Sequence, residues 1–149
     1  MATTEKWLLG SQTTLASTGL NSLANNSLAA GSVYDNTVGA GGGDGYILCD
    51  LELVATFGTA PTAGTAVSVW FLLSQDGTNY EDGSSSVTPA RSPDCVLPVR
   101  AVTTAQRVVR RAWLPWGKIT PLLKNDGTGQ AFAASGNTLK IRNVTAQGV

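Results

Sequence analysis

Side chains that commonly catalyse reactions or bind metals in proteins are few in this sequence. None of the 149 residues is a histidine, and this removes the commonest general base, the usual base of catalytic triads and the commonest ligand of transition metals. A lysine could activate a hydroxyl or thiol nucleophile, but no lysine here stands in a recognisable motif. We therefore predict that the protein is not an enzyme and that it binds no cofactor.

Neighbouring carboxylates offer two further kinds of chemistry. Two pairs lie close in the sequence: Asp50 with Glu52, and Glu81 with Asp82. Such pairs catalyse glycoside hydrolysis in many enzymes, but the first falls on the polar face of a predicted strand and the second adjoins a turn. The oxygen-rich stretch 76–82 could hold calcium, although its spacing departs from an EF-hand loop. Turn formation is the preferred interpretation, so no metal site is predicted; a weak structural cation at 76–82 is the alternative.

The two cysteines, Cys49 and Cys95, are far apart in the sequence. They lack the close spacing of zinc and redox motifs, and two thiols do not make a secreted disulfide scaffold. We predict two reduced, partly buried thiols that pack as small apolar groups. A bridge between neighbouring strands is the alternative.

Charge is low and balanced. Ten basic and ten acidic residues cancel, and charged residues make up 13% of the chain, about half the usual share. No broad field of one sign is available to attract nucleic acid or an anionic membrane surface. Apolar runs are too short for a signal peptide or a membrane-spanning helix. The sequence predicts neither nucleic acid nor membrane as a partner, and a location in the cytosol or in an assembly formed there.

The best candidates for binding are arginines and tryptophans. Arg107 and Arg111 share one face of a predicted strand, which is either a solvated sheet face or a contact with acidic residues of another protein. Trp70 belongs to an apolar run and is predicted to lie in the core. Trp113 and Trp116 flank a Leu-Pro turn, where at least one is predicted to anchor an interface. The three tryptophans could otherwise form a stacking platform for sugars.

Strands must position these side chains, and they dominate the predicted secondary structure. In the strand predicted at 46–57, Leu51, Leu53 and Ala55 share one apolar face. Further strands are predicted at 67–73, 95–102, 106–113, 118–124, 130–134 and 138–142, because runs of β-branched and aromatic residues alternate there with Gly, Pro, Asn and Asp. The polar stretch 84–93 is predicted to be a long surface loop.

The first 45 residues have a different pattern. Leucines recur in a background of Thr, Ser and Asn, and a glycine run at 39–45 closes the segment. We predict an extended N-terminal arm with one or two short strands over residues 1–45, followed by a β-sandwich over residues 46–149, within one globular unit.

About eight short antiparallel strands in one all-β domain can form a closed barrel or a two-layer sandwich. Long connections, around 84–93 and in the N-terminal region, suit the crossovers of a sandwich better than the uniform hairpins of a barrel. The sequence therefore predicts an antiparallel β-sandwich of the jelly-roll type.

Turn and core residues spread over nearly the whole chain resemble a family of small proteins encoded by tailed bacteriophages. The segments that carry the resemblance are TGLNSLA at 18–24, LEL at 51–53, PTAGT at 61–65, DGTNY at 76–80, LPVR at 97–100, LLKN at 122–125 and GQAFAASGNTLK at 129–140. The resemblance implies a virion structural protein similar to the small jelly-roll decoration or cement proteins that sit on phage capsids, commonly as trimers. The implied partners are the major capsid protein and further copies of the chain, and the implied location is the capsid surface after synthesis in the bacterial cytoplasm.

Function is therefore predicted to be non-enzymatic binding to the outer capsid shell, which the protein would stabilise. The residues predicted to contact the shell or a neighbouring subunit are Leu15, Leu20, Leu23, Leu28, Arg107, Arg111, Trp113 and Trp116. The alternatives are a carbohydrate-binding module of a phage tail or receptor-binding device, for which an exposed Trp113 or Trp116 would be required, and a structural role in the neck or tail.

Overall fold

A computed structural model of the chain describes residues 5–37 and 45–148. Within these ranges the regular structure is nine strands and one 3-10 turn, Thr18–Leu20. The strands are β1 (Glu5–Ala16), β2 (Leu28–Ala30), β3 (Tyr34–Asn36), β4 (Leu48–Ala55), β5 (Ala66–Ser74), β6 (Cys95–Pro98), β7 (Gln106–Trp113), β8 (Gly117–Asp126) and β9 (Thr138–Gly148). No helix in the described ranges has the length and apolarity needed to cross a bilayer.

The strands form two antiparallel sheets. Sheet A has the order β1-β9-β4-β7 and sheet B the order β2-β8-β5-β6, with the short strand β3 also paired to β8. The chain passes from one sheet to the other after most strands, which is the double Greek key of a jelly roll. The predicted all-β antiparallel sandwich of the jelly-roll type is confirmed.

Strand alternation builds the core between the sheets. In β4 the side chains of Cys49, Leu51, Leu53 and Ala55 are buried, while the alternate positions are half-buried on the other face. A strand places successive side chains on opposite faces, so this pattern turns one face of sheet A toward sheet B. The rings of Phe57 and Phe132 meet edge to face with centroids 5.1 Å apart and belong to the same core.

Strand β5 has apolar residues on both faces, and both faces are buried: one by sheet A and the other by the connection between β5 and β6. Val67, Val69 and Phe71 face the main core, whereas Trp70 and Leu72 belong to a second cluster. The Trp70 indole donates a hydrogen bond of 2.9 Å to the carbonyl of Arg91, in the connection between β5 and β6. The predicted core position of Trp70 is therefore confirmed.

Arg91 holds this connection in place. Its guanidinium binds Glu81 at 2.6 Å and Asp94 at 2.8 Å and donates a 2.9 Å hydrogen bond to the Phe71 carbonyl. The hydrogen bond from Arg91 is the main reason that the pKa of Glu81 lies below its usual value. Residues 84–93 contain no regular strand, as predicted for a surface loop, although Ser84 and Val87 form an isolated bridge.

The N-terminal region departs from the predicted arm. Strand β1 is twelve residues long and pairs with β9 at the edge of sheet A, and β2 and β3 pair with β8 in sheet B. Residues 5–37 are thus an integral part of the sandwich. The periodicity of β1 is hard to see in the sequence because its register shifts twice, between Leu9 and Gln12 and between Thr14 and Ala16.

Several predicted boundaries also change. The strand predicted at 130–134 is wrong: this stretch is a loop with one bridge between Phe57 and Phe132. Strand β6 ends at Pro98 rather than at 102, and β9 continues to Gly148 rather than ending at 142. Most of the glycine run predicted as a loop at 39–45 lies outside the described residues.

Candidate functional site

Acidic side chains do not form a cluster of metal ligands in the part of the chain that the structure describes. No three His, Cys, Asp or Glu side chains converge there. Asp50 and Glu52 are paired with arginines across the sheet, at 2.9 Å and 2.7 Å, and Glu81 binds Arg91. These carboxylates therefore serve as partners of arginines.

Asp76 organises a turn. Its Oδ1 accepts hydrogen bonds from the backbone N–H groups of Thr78 and Asn79, at 2.8 Å and 2.7 Å, and from the Ser74 hydroxyl at 3.1 Å. Its Oδ2 accepts a 2.6 Å bond from the Asn79 amide. These bonds, led by the backbone ones, hold the pKa of Asp76 far below its usual value. Protein donors bind both oxygens of the carboxylate, as in a turn stabilised by an Asp side chain.

Cys49 and Cys95 are both free and buried, as predicted. Burial raises the pKa of the Cys49 thiol to about 12 and also raises the pKa of Cys95. A thiol reacts as its thiolate, and at pH 8 a pKa of about 12 leaves roughly a thousandfold less thiolate than an ordinary cysteine has. Burial therefore leaves both thiols less ionised than ordinary cysteines near neutral pH.

Alkylation should show this protection. We expect iodoacetamide at pH 8 to label Cys49 in the folded protein at least about a thousandfold more slowly than in denaturant, because both burial and the raised pKa suppress the thiolate. Peptide mass spectrometry distinguishes Cys49 from Cys95. Fast labelling of Cys49 under native conditions would contradict its position in the core.

The outer face of sheet A, which is the side turned away from sheet B, carries an apolar row. The row contains one residue from each strand, in the order Leu9, Val144, Leu48 and Trp113, and each is paired with the next. Paired residues in antiparallel strands point to the same face. Val144 is fully buried within the row, whereas Leu9 and Trp113 at its ends are 53% and 72% exposed.

Two more apolar side chains extend this row. Trp7 precedes Leu9 on the same face of β1 and is 59% exposed, and Val109 precedes Trp113 on β7 by four residues and is 51% exposed. The Arg111 guanidinium carbon lies 5.8 Å from the centre of the Trp7 ring, so the side chains of Trp7 from β1 and Arg111 from β7 approach each other over the outer face. We call Trp7, Leu9, Val109 and Trp113 the sheet A patch.

Charges beside the sheet A patch are neutralised within the chain. Arg111 binds both carboxylate oxygens of Asp50, at 2.9 Å and 3.2 Å, and this pairing raises the pKa of Arg111. Arg107 binds Glu52 Oε2 at 2.7 Å. Glu52 Oε1 is buried and lacks a hydrogen-bond partner among the described residues. The two predicted interface arginines therefore have their acidic partners in their own chain.

Beyond sheet A, β1 and β9 continue as a two-stranded ribbon. Pairing of β9 with β4 ends at Val144, but its pairing with β1 continues to Gly148. Trp7 and Leu8 point to opposite faces of this ribbon and both are exposed. The ribbon therefore exposes apolar side chains on both of its faces. An isolated two-stranded ribbon is only marginally stable in water, and beyond Val144 strand β4 no longer pairs with this one.

Trp116 lies elsewhere. It is 65% exposed and lines a cleft of about 600 Å³ between the end of β5 and the start of β8. The other residues that line the cleft are Thr37, Leu73, Ser74, Gln75, Asp76, Gly77, Gly117 and Lys118. Trp113 and Trp116, which are close in the sequence, therefore face two separate surfaces.

The predicted interface leucines need correction. Leu15, Leu20 and Leu23 are buried in the core, and side chains that fill the chain's own core cannot also contact a partner. Leu28 is half-buried against the Trp70 cluster on sheet B. Arg107, Arg111 and Trp113 do share the outer face of sheet A, spread along β7.

Three members of the sheet A patch were not predicted from the sequence: Trp7, Leu9 and Val109. The alternation of Trp7 and Leu9 was an available signal, because two large apolar residues two positions apart share one face of a strand. This alternation was not used, because residues 1–45 were predicted to form an arm outside the sandwich sheets.

A comparison with models of protein families gives no match, and no curated protein is significantly similar to this chain. The jelly-roll topology is shared by proteins of unrelated function. Function must therefore be inferred from the surface itself.

Proposed function

We propose that this chain is a non-enzymatic structural protein of a bacteriophage virion, a decoration or cement protein that binds the outer capsid shell and stabilises it. The observation that carries the proposal is the sheet A patch: exposed tryptophan, leucine and valine side chains grouped on one sheet face. Apolar patches of this kind mark protein interaction sites, and tryptophans dominate the energies of such sites. Viral capsid domains are among the proteins that use jelly rolls, which is support by analogy of fold alone.

Charge supports a protein partner over nucleic acid. The chain has no net charge, and the arginines of this face already bind Asp50 and Glu52. An incoming surface therefore need not bring acidic groups; it must cover apolar side chains. A donor from the partner could also satisfy the buried Glu52 Oε1.

Energetics favour several copies binding together. Covering roughly 300 Å² of apolar surface, the order of two large aromatic side chains, contributes about 7 kcal/mol at 25 cal/mol per Å². Association costs about 4 to 15 kcal/mol, so one patch on one copy binds weakly. We propose that the protein acts as a homotrimer, because linked copies gain affinity from one another on a repeating lattice. Strand β1 is the edge strand of sheet A among the described residues, and such an edge offers a strand for pairing between copies.

A matched pair of tryptophan variants tests the proposal. We expect Trp113→Ala to weaken cosedimentation with capsids stripped of their small proteins by roughly 30-fold, equivalent to about 2 kcal/mol, because Trp113 belongs to the patch. Trp116→Ala should bind capsids like the unmodified chain, since Trp116 is similarly exposed but lies on another surface. Light scattering measures the oligomer, and thermal unfolding checks that both variants fold.

Two results would oppose the proposal. If Trp113→Ala binds capsids as tightly as the unmodified chain, the sheet A patch is not the capsid contact. If the unmodified chain neither binds stripped capsids nor forms an oligomer, the capsid role itself is wrong.

A further inference from the structure

The cleft beside Trp116 has a rigid frame. Asp76 fixes the turn at its rim through four hydrogen bonds. Gly117 has a φ of +116°, and a side chain there would meet Leu73 Cδ1 at 3.2 Å and the Ser74 carbonyl at 3.4 Å. Because Gly117 lacks a side chain, the start of β8 can lie close to the end of β5. The cleft between them is therefore preformed, which lowers the cost of binding a ligand.

Hydrogen-bonding groups in the cleft are available. Within the described part of the chain, the Gln75 amide and the Trp116 indole N–H have no hydrogen-bond partner, and both side chains are exposed. The Lys118 ammonium meets Asp35 only at 3.9 Å. The Thr37 hydroxyl donates to Asp35 at 2.7 Å, which leaves its oxygen free to accept.

Local charge argues against an anion in this cleft. Asp76 and Lys118 both line the cleft, and Asp35 lies 3.9 Å from Lys118. Both carboxylates have pKa values below their usual range because of their hydrogen bonds. Asp35 does not line the cleft but contacts two residues that do, Thr37 and Lys118, so two carboxylates surround the one ammonium and disfavour an anion near neutral pH. A neutral ligand rich in hydroxyl groups avoids this repulsion and can still bond the amide and the ammonium.

We infer that the Trp116 cleft binds a neutral saccharide. A pyranose ring has an apolar C–H face that packs on an indole and a rim of hydroxyls that bond polar side chains. Trp116 provides the platform, while Gln75 and Lys118 bond the hydroxyls. The volume of about 600 Å³ falls within the range of small-molecule sites. This site is independent of capsid binding, since none of its residues belongs to the sheet A patch.

Titration of the isotope-labelled protein with four neutral disaccharides, namely maltose, lactose, cellobiose and N,N′-diacetylchitobiose, tests the inference by NMR. The chain has four tryptophans, so the indole N–H of Trp116 can be identified from the Trp116→Ala spectrum. We expect at least one disaccharide to shift this signal and the Gly77 amide, with a dissociation constant on the order of 1 mM.

Point variants show whether the disaccharide binds in this cleft or on another surface. Trp116→Ala should weaken disaccharide binding at least about tenfold, and Gln75→Ala about threefold to fivefold. Trp113→Ala, which removes a similarly exposed indole from sheet A, should bind the disaccharide normally. The inference is overturned if none of the four sugars shifts Trp116 or Gly77 at roughly 20 mM, or if binding survives unchanged in Trp116→Ala. Capsid cosedimentation of the same variants reports on the other surface alone.

Discussion

Deletion of residues 1–45 is expected to give a chain that does not fold. The deletion removes β1, β2 and β3, and it exposes one side of β9 in the middle of sheet A. It also removes Leu15, Leu20 and Leu23 from the core. Truncating one buried leucine to alanine costs about 2 to 5 kcal/mol. Loss of three such residues therefore approaches or exceeds the whole stability of a typical domain, about 5 to 15 kcal/mol.

Circular dichroism and thermal unfolding would measure this effect, and a pair of point variants gives it a control. Leu20→Ala, at a fully buried position, should lower the free energy of unfolding by about 2 to 5 kcal/mol. Leu8→Ala, at a position 47% exposed on the ribbon, should change it by less than about 1 kcal/mol. Cooperative unfolding of the deleted chain would instead mean that residues 46–149 form a domain by themselves.

Asn125→Asp is expected to be the most damaging single polar substitution. Asn125 is fully buried. Its amide donates to the carbonyls of Leu23 at 3.1 Å and Gln130 at 2.8 Å, and its oxygen accepts from the Thr128 hydroxyl at 2.6 Å. A carboxylate would face two carbonyls with no proton to donate. An unpaired buried charge of this kind costs about 3 to 5 kcal/mol.

The cost should depend on pH. Burial and the facing carbonyls would raise the pKa of Asp at this position in the folded state above its unfolded value. A raised carboxyl pKa means that the folded state binds the proton more tightly, so stability falls as pH rises from the unfolded pKa, about 4, through the folded one. The deficit of Asn125→Asp relative to the unmodified chain should therefore be larger at pH 7 than at pH 4.

Urea unfolding at the two pH values measures this difference. Asn25→Asp is the matched control: Asn25 is exposed, and its side-chain oxygen accepts a 2.9 Å bond from the Gly129 N–H, which a carboxylate can also accept. We expect that substitution to change stability by less than about 0.5 kcal/mol. Equal losses for Asn25→Asp and Asn125→Asp would show that the buried amide network does not stabilise the fold.

Asn125 belongs to a group of buried asparagines that join distant parts of the chain. Asn36 and Asn137 are also buried, and their amides join distant parts of the chain: Asn36 bonds Tyr46 and Pro115, and Asn137 bonds Asn21, Thr56 and Ala133. In each case one side chain satisfies several backbone groups that a loop would otherwise leave unpaired. The same residue type is common in exposed turns, so composition alone does not reveal this role.

The two exposed tryptophans allow the proposed contacts to be tested independently. Trp113→Ala should impair capsid binding and leave saccharide binding intact, whereas Trp116→Ala should do the reverse. A variant that impaired both would indicate a change in folding, which thermal unfolding detects.

The sequence by itself determined the class of the fold and the shortage of residue types that commonly catalyse reactions. The alternation of Leu51, Leu53 and Ala55 predicts β4 because a strand has a period of two residues, and β7 was predicted with its observed bounds. The absence of histidine is likewise independent of folding. These features are local, so neighbouring residues are enough to reveal them.

Only the tertiary structure decided which apolar side chains are covered. Trp70, Trp113 and Trp116 are one residue type, yet they are 4%, 72% and 65% exposed. Trp70 is covered by a loop that Arg91 holds in place, whereas the neighbours of Trp113 on sheet A leave it open to solvent. Leu15, Leu20 and Leu23 enter the core, whereas Leu8 and Leu9 stay exposed. Their region joins the sandwich because β1 pairs with β9, which is more than 100 residues away in the sequence. Burial depends on such long-range pairing and on what folds over each face, and neither is encoded in the local pattern of residues.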